Sequence, residues 1–85
     1  MNPRVAHVHA NDDHTLTLTF VDGQQRRFDV KPYLDRGMFR ELARLEYFRR
    51  AMVVEGTVVW PNEQDFCPDT LFLDGIPLPV AAAAH

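Results

Sequence analysis

The stretch His14–Val30, HTLTLTFVDGQQRRFDV, decides the fold. Leu16, Leu18 and Phe20 alternate with Thr15, Thr17 and Thr19. A period of two sends the apolar side chains to one face and the threonines to the other, which is the pattern of a half-buried strand. Asp22-Gly23 then signals a hairpin, because glycine accepts the positive φ that primed turns require. Gln24–Val30 returns as the next strand, with Phe28 and Val30 on its apolar face. Upstream, Val5–Ala10 alternates around His7 and His9, and Asn11-Asp12-Asp13 is a cluster of turn formers. The three segments make an antiparallel meander.

Beyond Lys31-Pro32 the period changes. Tyr33–Arg36 reads as a short helical turn ahead of Gly37. Leu34, Met38, Leu42 and Leu45 recur at three or four residues, which predicts one amphipathic helix over Met38–Phe48. Arg36, Arg40 and Arg44 recur every four residues on a different side of that helix. Met52–Glu55 and Thr57–Trp60 read as two strands joined at Glu55-Gly56, and Pro61 stops the second. Pro68–Phe72 reads as a helical turn with proline at a first position. The order βββ-α-ββ indicates an α+β fold: a three-stranded meander, one helix, then a β-hairpin. The single domain is expected over residues 1–75, with residues 76–85 as a loosely held tail.

Eighty-five residues make one domain. No apolar run approaches the length of a membrane span, and MNPRVAHVHANDD lacks the apolar core of a signal peptide. One cysteine leaves no internal disulfide, so a cytoplasmic location is the simplest reading. Net charge is -3, which does not favour nucleic acid. The charge is split along the chain. Residues 1–50 hold all nine basic residues and seven acids, while residues 51–85 hold five acids (Glu55, Glu63, Asp65, Asp69, Asp74) and no base.

The stretch Trp60–Asp69, WPNEQDFCPD, is the richest in special residues. Trp60 fills a small core and Pro61 ends a strand on one reading, with Asn62 and Asp65 bonding nearby backbone and Asp69 starting a helical turn. Turn chemistry then explains every residue except Glu63 and Gln64. On the other reading Asn62, Asp65, Phe66 and Asp69 form a binding rim. His7 and His9 share a strand face, but a zinc site needs three or four ligands, so no metal is expected there. Cys67 sits among acids with no basic neighbour in sequence, which raises a thiol pKa and argues against an activated nucleophile. No Ser/His/Asp or Cys/His motif and no phosphate-binding glycine loop is present. Arg36, Arg40 and Arg44 form either a solvated face, with Glu41 paired to Arg44, or a surface for an acidic partner.

LTFVDGQQRRFDV, then Pro32 and a short helix, then VVWPNEQDFCPDTLF resembles a small bacterial family known as domain of unknown function 2442. The resemblance runs from Val5 to Leu73. Its most specific part is Trp60-Pro61-Asn62 followed by Asp65 and Pro68-Asp69. The family pattern has glycine after Trp-Pro-Asn where this chain has Glu63, so a turn that favours a left-handed residue is altered here. The resemblance implies no catalytic residues. It implies kinship with domains that carry an added helix-turn-helix, for which this chain ends too soon, and with halves of toxin–antitoxin-like gene pairs. The expected function is a non-enzymatic protein-interaction module, an antitoxin-like or accessory partner of another small bacterial protein. No cofactor is expected, and Arg36, Arg40 and Arg44 would be the partner-binding residues. A weak homodimer fits the charge split. The alternative is a nucleic-acid-binding accessory subunit that sets the same arginines on phosphates.

Overall fold

Residues 2–79 are described by the computed structural model. The alternating segment forms strand β2 (Thr15–Phe20), paired antiparallel to β1 (Val5–Ala10) on one side and β3 (Gln25–Asp29) on the other. Leu16, Leu18, Phe20 and Phe28 are buried on the inner face. The register sets His7 opposite Thr19, His9 opposite Thr17, and Arg27 opposite Thr17, so the outer face is polar. A fourth strand, β7 (Ile76–Pro77), pairs with β3 at Arg26 and Arg27. The tail expected from residue 76 is therefore corrected: Ile76–Pro77 closes the sheet edge, and Leu78 N–H donates to the Gln25 carbonyl at 2.9 Å. The remainder of the expected tail, residues 80–85, lies outside the described residues.

A second sheet holds β4 (Met52–Val54), β5 (Thr57–Val59) and β6 (Asp65–Phe66) in that order. The first two are the expected hairpin. Its two-residue loop has positive φ at both Glu55 (52°) and Gly56 (80°), as a primed turn requires. A Cβ on Gly56 would lie 2.6 Å from Arg4 Cβ, so glycine is required there for space as well. Strand β6 was not foreseen. With the helical elements below, this is the α+β fold that the sequence indicates.

Three other loops share one design. Asn11 N–H donates to Thr15 O and His14 N–H to Asn11 O. Phe20 N–H donates to Gln24 O and Gly23 N–H to Phe20 O. Trp60 N–H donates to Gln64 O and Glu63 N–H to Trp60 O. Each is a three-residue hairpin loop whose last residue is left-handed: His14 at 63°, Gly23 at 91°, Glu63 at 75°. The turn at Asp22-Gly23 is thus one residue longer than the two-residue turn read from the sequence. Asp22 also accepts the Gln24 N–H at 3.1 Å.

The single helix over Met38–Phe48 is not formed. A 3-10 helix runs Gly37–Ala43, the chain is extended at Arg44 (φ -79°, ψ 117°), and one α-turn follows as α1 (Leu45–Phe48). The cause lies in the apolar spacing. Phe39, Leu42, Leu45 and Phe48 recur every three residues and pack on the core, whereas Met38 stays 54% exposed. A repeat of three suits three residues per turn. The last helix, α2 (Pro68–Asp74), buries Leu71. Arg26, on the inner face of β3 opposite Leu18, lays its guanidinium 3.7 Å from the Phe72 ring centre and donates to the Phe72 carbonyl at 2.8 Å. A cation at the end of a helix suits its dipole.

Glu63 carries a side chain where the loop favours none. Glu63→Gly should stabilise the domain by about 0.5–1 kcal/mol, a rise of roughly 2–8 °C in melting midpoint. A midpoint that falls in calorimetry would show that the left-handed residue is not strained.

Candidate functional site

The loop after β5 points Asn62 back at the 3-10 helix. The Asn62 N–H donates to the Tyr47 hydroxyl at 2.9 Å, and its side-chain amide donates to both Glu41 carboxylate oxygens at 2.8 Å. Gln64 is buried, with 1% of its surface exposed. Its carbonyl oxygen accepts the Tyr47 hydroxyl at 2.7 Å, and its amide donates to Met38 O and to Glu41 Oε1, both at 3.0 Å. One carboxylate therefore ties the helical segment to the hairpin through two amides. Hydrogen bonds from Asn62 and then Gln64 hold the Glu41 carboxyl below its ordinary pKa; burial opposes the shift and the charge of Arg44 adds to it.

Beside this clasp lies an open cleft of about 300 Å³ lined by Glu41, Arg44, Glu46, Tyr47, Arg50, Pro61 and Asn62. Two basic side chains, Arg44 and Arg50, and two acidic ones, Glu41 and Glu46, line it. Arg44 does not pair with Glu41, as its spacing suggested, but with Glu46 at 3.0 Å.

The seven residues singled out in the sequence do not form one site. Arg44 and Asn62 meet at the cleft. Arg36 and Arg40 do not: a spacing of four shares a face at 3.6 residues per turn, not at three. Arg36 stacks over the Tyr33 ring at 5.2 Å, and Arg40 is exposed with no ion pair among the described residues. Phe66 leaves the rim altogether; it is 5% exposed and packs on Phe28, Tyr33, Phe39 and Trp60. Asp65 is exposed on β6. Asp69 accepts a hydrogen bond from Asn2 at 3.3 Å and lines a separate depression with Arg4, Thr57 and Pro68. The Asn62 side chain bonds Glu41 rather than the nearby backbone N–H groups that turn chemistry suggested.

Cys67 also departs from expectation. The Thr70 hydroxyl, 3.3 Å away, and the Thr70 N–H hold its thiol below the ordinary value, outweighing burial and the charge of Asp69. His7 and His9 are exposed. Among the described residues no three His, Cys, Asp or Glu side chains gather as metal ligands. No helix among them is long and apolar enough to cross a membrane.

Tyr47, Glu41 and Gln64 were missed as members of the site. The signal was the residue left over: Gln64 is one of two in Trp60–Asp69 that turn chemistry does not explain.

The model of the family described as Protein of unknown function (DUF2442) matches residues 5–76. The chain belongs to that family. No curated protein and no solved structure matches it.

The depressed pKa of Glu41 ties stability to pH. A carboxyl whose pKa is lower folded than unfolded contributes stability above the unfolded value and loses it as pH falls through the folded one. Asp13, lowered by the Thr15 hydroxyl, contributes in the same acid range. Glu41→Gln should melt below wild type at pH 7, and the gap should close on acidification below about pH 4. A gap that stays constant down to acid pH would mean that the Glu41 charge does not hold the clasp.

Proposed function

We propose that this domain is a non-enzymatic protein-interaction module, an accessory or antitoxin-like partner of another small bacterial protein, and that the partner docks at the Glu41–Arg44–Asn62 cleft. The observation that carries this reading is the meeting of Arg44 and Asn62 in one solvent-open depression with Arg50 and Glu46. Such a rim of both signs suits charged side chains of a protein rather than a buried small ligand. The Arg44–Glu46 pair is exposed, and pairs of this kind contribute little, so a partner's carboxylate can take the place of Glu46 at small cost. Kinship with paired genes supports the choice of partner. The nucleic-acid alternative loses its main support, because Arg36, Arg40 and Arg44 do not share a helix face.

The test is co-expression of the full chain with the product of the adjoining gene, followed by capture and sedimentation. A complex is expected that weakens with salt and loses about tenfold in affinity on Arg44→Glu, with Arg40→Glu near wild type. Absence of a complex at any salt would end the reading. A complex indifferent to Arg44 would move it off the cleft.

A further inference from the structure

The two sheets differ on their outer faces. That of the larger sheet carries His7, His9, Thr17, Thr19, Gln25 and Arg27. On the smaller sheet, Val58 and Phe66 turn inward, with Val53 opposite Val58. The residues on the other side are therefore Met52 opposite Val59, which is opposite Asp65, and Val54 opposite Thr57. Met52 is 43% exposed and Val54 47%. An apolar outer face on a strand of three residues is not needed for the core, since these side chains point away from it.

The ends of this face carry opposite charges. Arg50 precedes β4 and Glu55 follows it; both are exposed, and among the described residues neither has an ion-pair partner. A two-fold axis lying between the two molecules, parallel to the face and crossing β4 at right angles at the level of Val53, lays Met52 over the Val54 of a second molecule. The same axis brings each Arg50 to the other's Glu55. The pattern along β4 is thus self-complementary in both hydrophobicity and charge, while Asp65 lies on β6 at the edge of the sheet. We propose that the outer face of β4–β5–β6 docks on the same face of a second copy of this chain, as two aligned sheets. Five side chains fall well short of the roughly 800 Å² per partner of a standard interface, so the pairing is weak and reversible. It shares Arg50 with the rim of the cleft but requires no other protein.

Sedimentation equilibrium on the full chain alone, over a concentration series, tests it. The expected result is a dimer with a dissociation constant on the order of 0.1–1 mM at moderate salt. Val54→Lys should weaken it at least about tenfold while leaving the far-UV spectrum and melt intact. Arg50→Glu and Glu55→Arg should each weaken it several-fold, and the two together should restore it, because the reversed charges again meet opposite signs. Amide signals that move with wild-type concentration should cluster at residues 52–59, a readout that needs no variant. A monomer throughout the series would overturn the proposal. So would a dimer insensitive to Val54→Lys, a double reversal no better than the singles, or concentration-dependent signals elsewhere.

Discussion

The indole of Trp60 is the joint on which the rest of the structure depends. It is buried, and its ring lies 5.9 Å from Phe48 of α1 and 5.9 Å from Phe66 of β6. Its N–H donates at 2.9 Å to the Phe48 carbonyl, which also accepts the Ala51 N–H at 3.2 Å where α1 ends. Its own backbone N–H and carbonyl close the three-residue loop to Gln64 and Glu63. Phe66 carries the contact onward to Phe28, 5.0 Å away on the larger sheet. One residue thereby holds the helical segment, the hairpin and both sheets in a single packing arrangement. Losing it opens a cavity in the core and removes one of the two hydrogen bonds to the Phe48 carbonyl.

The polar clasp follows from that joint. Once Trp60 fixes the loop, Gln64 has no route to water, and its amide must find partners inside. Tyr47, one residue before Phe48, supplies the hydroxyl, and Glu41 supplies the carboxylate. Asn62, at the centre of the loop, completes the set from the solvent side. A network satisfied at every member adds rigidity, whereas one with a member missing is costly. The cleft is the open flank of this network, so its shape is set by the fold and not by flexible side chains alone.

The meander was legible because each cue agreed with the next: alternation in β2, turn formers at Asn11–Asp13, glycine at position 23. What the sequence concealed was loop length, since a two-residue and a three-residue loop both want a left-handed residue near Gly23. The helical segment misled for a physical reason. Leu34, Met38, Leu42 and Leu45 fit 3.6 residues per turn, yet Phe39, Leu42, Leu45 and Phe48 fit three, and the aromatic pair carries more buried surface. That choice dispersed the arginines. The candidate cleft was legible only in small part: Arg44 and Asn62 line it, while Phe66 belongs to the core. Glu63, where the family pattern has glycine, was read correctly as a turn position wanting positive φ. Trp60 as a core residue was equally readable, since a small domain has few other places for its largest side chain.

The most direct measurement is denaturant unfolding of Trp60→Ala followed by far-UV circular dichroism. Removing a buried tryptophan costs about 3–5 kcal/mol, most of the stability available to so small a domain. The account predicts that little folded protein remains even without denaturant. A cooperative transition near the wild-type midpoint would contradict it, and would show that the sheets and the helical segment are held together by something other than this residue.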